Sequence, residues 1–492
     1  MARYFKFRSV EDIDAECRRL GLDLCFSSDF SPLFRPVNVG PLRAGNSLCV
    51  QPMEGCDCTL DGRPDELTFR RYQRFGAGGA KLIWGEAAAV VEEGRANPRQ
   101  LWLDEHTASD VGRLLRECRR AHRDAFGSDD DLIVGLQLTH SGRYSYRRPL
   151  LACHDPVLDP RTVADKATGK VVDTDYPLLD DDYLERLIDR YVAAARLAQR
   201  IGFQFIDLKQ CHRYLLNELL AARTRPGRFG GSLENRTRLA RTVLERTRDE
   251  VPGLMLGTRL NVYDCVPHRP GLDGTGEPCP WRPPLVAAWG TSANDPLNPD
   301  LTEPLWWVGE MQRLGVALVN VSMGNPYATP HVLRPFEYPP PDGYETPEHP
   351  LVGVDRHFRL AAQVQRAYPH LPVVGSGYSY LQEFLPHAGA ANVRDGRTTF
   401  VGVGRAALPM PDFARLLQET GRMDRKRVCR TFSYCTALMR AKHNELGQFA
   451  TGCPPFDKEV YGPIWDEAKR TNHRGTEGTE GRTTEKNKEG GL

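Results

Sequence analysis

The chain has 492 residues, 40% of them hydrophobic and 26% charged, with a formal net charge of +1. This is the composition of a soluble globular protein, and the balanced charge gives no ground for a nucleic-acid or anionic-membrane partner. No apolar run is long enough to span a bilayer, and the opening MARYFKFRSVEDIDAECRRLG lacks the apolar core and cleavage site of a signal peptide. The 13 cysteines, an odd number scattered without a secretory signal, point to reduced thiols in a cytoplasmic setting.

Residues 1–34 read as an N-terminal extension. Between 35 and 422, short apolar runs alternate with longer amphipathic ones. SLCVQPM (47–53), KLIWGEA (81–87), LIVGLQL (132–138), FQFIDLK (203–209), LMLGTRL (254–260), VALVNVS (316–322), PVVGSG (372–377) and TFVGVG (399–404) read as strands, most of them bounded by Gly, Pro or a polar turn. Helical patterns fall between them at 66–78, 104–126, 183–203, 231–250, 303–314, 352–368 and 411–420. In the 183–203 segment, Leu184, Leu187, Ile188, Tyr191, Val192, Ala195 and Ala198 form one stripe. Repeated strand–helix units in this order predict a parallel sheet closed into a (β/α)8 TIM barrel of the α/β class; a doubly wound open sheet is the alternative.

The segments after the third, fifth and sixth strands (139–180, 261–302 and 323–351) are long and rich in Pro, Gly and aromatics. In a parallel barrel they share the carboxyl face, where active sites are built, and so predict a covered pocket there. Residues 423–466 form a cysteine-containing C-terminal extension. From 467 to 492 the chain is polar and nearly free of apolar residues, the composition of a disordered tail.

Glycines in GSG (375–377) and GVGR (402–405), with Arg405, predict a phosphate cradle past the seventh and eighth strands. GAGGA at 76–80 follows a helix, so no dinucleotide fingerprint opens a strand-to-helix turn. Gln137 and Arg259, near the carboxyl ends of the third and fifth strands, suit a heterocycle: an amide can donate and accept, and a guanidinium favours electron density. Lys209, His212 and Tyr214 follow the fourth strand within six positions, a row of donors at a strand end. Cys429, Cys435 and Cys453 are candidate metal ligands with His443. Five residues separate the first two and no fourth cysteine follows, which argues against an iron–sulfur cluster.

Several of these motifs, in this order, resemble those of the old yellow enzyme family of FMN-dependent NADH:flavin oxidoreductases, in particular the barrel domain of bacterial 2,4-dienoyl-CoA reductase. They are LFRPVNVGPLRAGNSLCVQPM, GGAKLIWGEAAAV, GLQLTHSGRYSY, YLLNELLAARTRPGRFGGSLENRTR, TRLNVYD and VGVGR, spread over most of 33–420. The resemblance implies FMN as cofactor and NADH or NADPH as reductant. The isoalloxazine would be bordered by Pro52, Met53, Glu54 and Ala87, with Gln137 on its pyrimidine edge and Arg259 near N1 and O2. Gly375, Gly377, Gly404 and Arg405 would take the phosphate. It further implies that Lys209 and His212 hold a substrate carbonyl and that Tyr214 donates the proton when an activated alkene is reduced.

Departures from the family pattern fall at the same place. Lys209 replaces an imidazole, Glu54 stands where threonine or cysteine is common, and Arg213 replaces a glycine. Two other functions follow if the resemblance misleads: a phosphate-binding aldolase or isomerase with Lys209 as a Schiff-base lysine, or a barrel that binds flavin without turnover. The expected partner is a small molecule, and a homo-oligomer is left open.

Overall fold

The computed structural model describes residues 4–441 and 446–480. Eight strands close a parallel barrel in chain order: β1 (Leu48–Val50), β2 (Leu82–Ala89), β3 (Ile133–Thr139), β4 (Phe205–Leu208), β5 (Met255–Asn261), β6 (Val316–Ser322), β7 (Val373–Gly375) and β8 (Phe400–Val403). The seam closes in the register Val401 to Leu48 and Val403 to Val50. Eight helices alternate with the strands: α1 (Glu66–Gly76), α2 (Ala108–Phe126), α3 (Asp181–Arg200), α4 (Leu233–Glu250), α5 (Thr302–Arg313), α6 (Pro350–Ala367), α7 (Leu385–Arg394) and α8 (Phe413–Thr420). The TIM-barrel expectation holds.

Period-two alternation divides each strand between two cores. Leu48, Val50, Ile83, Val134, Ile206, Val319 and Val401 face the helices, while Cys49, Leu82, Trp84, Ile133, Phe205, Leu318 and Phe400 fill the interior. Val39 and Ala44, from an antiparallel hairpin over 37–44, join that interior cluster and plug the amino end of the barrel. Gly135 makes room for this filling, since a Cβ there would fall 2.2 Å from the Phe205 ring. With its amino half packed solid, only the carboxyl end of the barrel can hold a ligand.

The long segments lie where predicted, between Thr139 and α3, between Asn261 and α5, and between Ser322 and α6. Four expected strands are shorter than their apolar runs, β4 and β8 by a residue or two at each end and β1 and β7 chiefly at the carboxyl end. β1 stops at Val50, before Pro52, which has no N–H to give a ladder, and β7 stops at Gly375, before Gly377 at φ +93°. The residues released from both strands line the cavity described below.

The C-terminal extension folds across the barrel mouth. A short helix (Tyr434–Arg440) brings Arg440 onto the Pro326 carbonyl and Asp342, and the Thr451 N–H donates to the Gly55 carbonyl at 2.6 Å. The polar tail expected from 467 instead continues a helix, Lys458–Glu480. Its first turns are anchored by Tyr461, Ile464, Trp465 and Ala468 against Leu438 and Phe449, and each further residue then adds a bond to a nucleus already formed. Residues 481–492, the remainder of that expectation, lie outside the described residues, as does His443.

Candidate functional site

One cavity at the carboxyl end of the barrel is lined by Pro52, Met53, Glu54, Gln137, Lys209, His212, Tyr214, Arg259, Gly377, Gly404 and Arg405. These are eleven of the thirteen residues expected at the site. Ala87 and Gly375 stay off the lining, with their carbonyls accepting from Gln100 at 2.9 Å and from Gln51 at 3.3 Å.

The polar floor is built on Asp207, a carboxylate fully buried in β4. It accepts from Trp84 Nε1 at 2.6 Å, Gln137 Nε2 at 2.5 Å and the Arg259 backbone N–H at 2.6 Å. Burial raises its proton affinity, and these three donors oppose that rise. Asp207 thereby orients Gln137 and leaves the amide oxygen as the group available to a ligand. The sequence signal for it was a lone charge inside an apolar strand.

Three arginines point at the same cavity. Nε of Arg259, Nε and Nη2 of Arg334 and Nη1 of Arg405 are buried without a hydrogen-bond partner. Burial first, then Arg405 and Arg440, brings Arg334 down from 12.5 to about 9. Guanidinium nitrogens buried without a partner are costly, and an anion between Arg334 and Arg405 would answer those of both residues. A Cβ at Gly404 would meet only Gln51 and Met53, each at 3.9 Å, so the glycine leaves a gap on the cavity side. These orphaned donors and this gap fit a flavin phosphate, and Arg259 with Gln137 fits a polar heterocycle. Arg334 escaped the sequence reading because it sits in a long Pro-rich segment with no local motif.

The turn after β4 carries the other cluster. His212 and Arg213 stand at φ +65° and +60°, two consecutive left-handed non-glycine residues, a strained arrangement that surrounding contacts must hold. Arg213 is clamped by Asp155 at 2.9 Å and Asp264 at 3.3 Å, one from each of two long segments. Its own N–H donates to Asn217 Oδ1 at 2.7 Å, and Asn325 donates to the His212 carbonyl at 2.6 Å. His212 Nε2 lies 2.9 Å from Ser322 Oγ. Burial, reinforced by Arg259 and Lys209, holds its proton affinity well below the usual imidazole value, so the ring is neutral.

Lys209 Nζ pairs with Glu54 at 3.2 Å and lies 3.9 Å from the Tyr214 ring centroid. The two unusual residues therefore answer one another, cation for carboxylate, inside the cavity. Burial and the Glu54 charge together raise Tyr214 well above 10.

Cys429, Cys435 and Cys453 line a smaller neighbouring cavity together with Arg405. Among the described residues, the one group of His, Cys, Asp or Glu close enough to hold an ion is Asp57, Cys58 and Glu86. There Arg71 already bonds both carboxylates and serves as their cation.

Residues 32–275 match the family described as NADH:flavin oxidoreductase / NADH oxidase. An NADPH dehydrogenase of Halalkalibacterium halodurans is 31% identical over 189 residues, covering 37% of this chain and 49% of that protein. The chain spans about half to two thirds of the length of the curated relatives it matches. Two solved structures share the fold. A complex of 2-naphthoyl-CoA reductase aligns with TM-score 0.62 at 17% identity, over 89% of this chain and 58% of that one. An old yellow enzyme homologue from Zymomonas mobilis aligns with TM-score 0.56 at 20% identity, over 81% and 96%.

Proposed function

Because this barrel belongs to the NADH:flavin oxidoreductase family, the old yellow enzymes, we propose that it is an FMN-dependent ene-reductase or related dehydrogenase acting on a small activated alkene, with NADH or NADPH as reductant. One observation carries the reading: Lys209, His212 and Tyr214 share a single cavity with the orphaned guanidinium groups of Arg259, Arg334 and Arg405.

Arg405, Arg334, Gly377 and Gly404 would hold the phosphate of FMN, while Gln137 and Arg259 would hold its ring edge. Bound there, the flavin supplies hydride transfer between the nicotinamide and the β-carbon of the alkene. The protein does the rest. Lys209 and neutral His212 offer donors to the substrate carbonyl oxygen, where negative charge develops. The Tyr214 hydroxyl gives its proton to the α-carbon. Asp207 keeps Gln137 and the Arg259 backbone in place, and the C-terminal extension covers the mouth through Cys435, Thr436, Met439 and Thr451, limiting water at the reacting atoms. An ammonium held by Glu54 is a poor nucleophile, which weighs against Lys209 as a Schiff-base lysine.

The test is the visible spectrum of the purified protein, then anaerobic NADPH or NADH, then a cyclic enone. Flavin bands that bleach with nicotinamide and recover with the enone are the expected result. A colourless protein that takes up no added FMN would overturn the reading.

A further inference from the structure

A neutral imidazole carries one N–H donor and one lone-pair acceptor, so His212 attracts or repels a substrate oxygen according to which nitrogen holds the proton. The group that decides this lies off the cavity lining, at the end of β6. Ser322, the last residue of that strand, is fully buried. The sheet holds it in place: it pairs with Asn261, and its carbonyl accepts from the Val262 N–H at 2.9 Å.

The Ser322 hydroxyl lies 2.9 Å from His212 Nε2, its sole hydrogen bond among the described residues. A ring donating from Nε2 would leave the hydroxyl hydrogen sealed in the interior with no acceptor, a cost that folded chains avoid. Ser322 therefore donates, Nε2 accepts, and the ring proton sits on Nδ1. That nitrogen meets no partner among the described residues, yet it is not sealed: it opens on the cavity that the ring lines. The backbone of the turn is held from the same side. Asn325, in the segment after β6, donates through Nδ2 to the His212 carbonyl at 2.6 Å and to the Tyr144 hydroxyl at 3.0 Å. Its Oδ1 accepts at 2.7 Å from the N–H of Tyr327, another residue of the cavity wall. With the carbonyl and Nε2 both pinned, the ring can aim only Nδ1 at a ligand.

We propose that Ser322 is a positioning residue: by donating to Nε2 it fixes the His212 tautomer that turns Nδ1–H toward the substrate carbonyl oxygen. The inference rests on the proposed reaction, in which His212 holds that oxygen. Its first half, the place of the ring proton, stands apart from any turnover. With the proton on Nε2 instead, Nδ1 would face the oxygen with a lone pair, and the developing negative charge would lose one of its two donors. Ser322 itself touches neither substrate nor flavin.

The first measurement is nitrogen NMR of flavin-loaded wild-type protein carrying nitrogen-15 histidine. Of the 13 histidines, His212 gives the ring signals that vanish in His212→Gln, and these should show Nδ1 protonated and Nε2 bare. A proton on Nε2, alone or in addition, would overturn the inference. In Ser322→Ala the ring proton should spread to Nε2. FMN affinity should stay within about twofold while kcat for 2-cyclohexen-1-one falls by about tenfold to 100-fold, short of the loss from deleting a transition-state donor outright. A serine that only packs would leave the tautomer where it was. An unmoved ring proton in Ser322→Ala, or an unmoved kcat, would therefore overturn the assignment. Wild-type protein that binds FMN and holds the proton on Nδ1 but does not reduce the enone would instead overturn the reading on which the substrate contact rests.

Discussion

Replacing Arg334 with methionine should have opposite effects with and without FMN. In the flavin-free protein, Arg334 is a half-buried cation that lines the cavity with Arg405, its Nε and Nη2 buried and unpaired. The fall from 12.5 to about 9, at about 1.36 kcal/mol per tenfold change in proton affinity, puts the cost of keeping it charged at about 5 kcal/mol. Relaxation and water entry reduce that to about 2–3 kcal/mol. The penalty is fully present below about pH 9 and disappears only as the residue deprotonates, so it applies at neutral pH. Methionine keeps the stem packed and removes the charge. Flavin-free Arg334→Met should therefore be more stable by about 2 kcal/mol at pH 7, read as a higher midpoint in urea. With FMN the sign reverses. One charged hydrogen bond to phosphate is lost, about 1.5–3 kcal/mol, so quenching of flavin fluorescence should give a Kd raised by roughly tenfold to 150-fold. A variant less stable without flavin, or one with unchanged FMN affinity, would refute Arg334 as a phosphate ligand held in reserve.

Glu54→Gln removes a charge that raises Tyr214, and the Lys209 ammonium left over the ring favours phenolate in the same sense; Tyr214 becomes the stronger acid, and the basic limb of the kcat profile should move to lower pH, an unmoved limb counting against Tyr214 as donor. Burial keeps His212 neutral in the folded chain with its proton affinity well below the usual 6.5, so its share of stability is present above pH 6.5 and lost as the pH falls. His212→Gln should flatten the acid-side loss of urea midpoint by one proton, about 1.4 kcal/mol per pH unit; an equal slope would mean His212 protonates as freely when folded. Arg213→Gly relieves a left-handed backbone worth about 1–2 kcal/mol but strands Asp155 and Asp264, whose side chains are 3% and 0% exposed, at about 3–5 kcal/mol; the thermal midpoint should drop, and a more stable glycine variant would show that the clamp contributes nothing.

The barrel was legible because its signal is local. Each strand is a short apolar run with its own stop, and even the three long segments end where the sequence puts them. The cavity residues at strand ends, such as Gln137, Arg259 and Arg405, could be found because a barrel fixes which end is functional. Arg334 and Tyr327 could not. Both lie in the segment after β6, whose path depends on contacts made far away: Asn325 to the His212 turn, Arg440 from the C-terminal extension, and Glu337 tying Phe5 to Thr431. Nothing within ten residues of Tyr327 encodes those partners. The helix to Glu480 was missed for the converse reason, since composition alone does not register a nucleus formed by packing upstream.

Three unusual residues at the site, Glu54, Lys209 and Arg213, looked in the sequence like separate losses of a pattern. In the folded chain Glu54 and Lys209 are each other's partner at 3.2 Å, and Arg213 holds two long segments against the turn that presents His212 and Tyr214. Decay of a site would leave at least one of these charges buried and unmatched, at a cost of several kcal/mol. All three are paired with an opposite charge, although Nη2 of Arg213 has no hydrogen-bond partner of its own. The unmatched charges in the cavity are Arg259, Arg334 and Arg405, the groups that a flavin would satisfy. That division, in which the departures are internally paired while the cofactor side keeps its orphaned donors, is the physical ground for reading the turn as a changed active site and not an abandoned one.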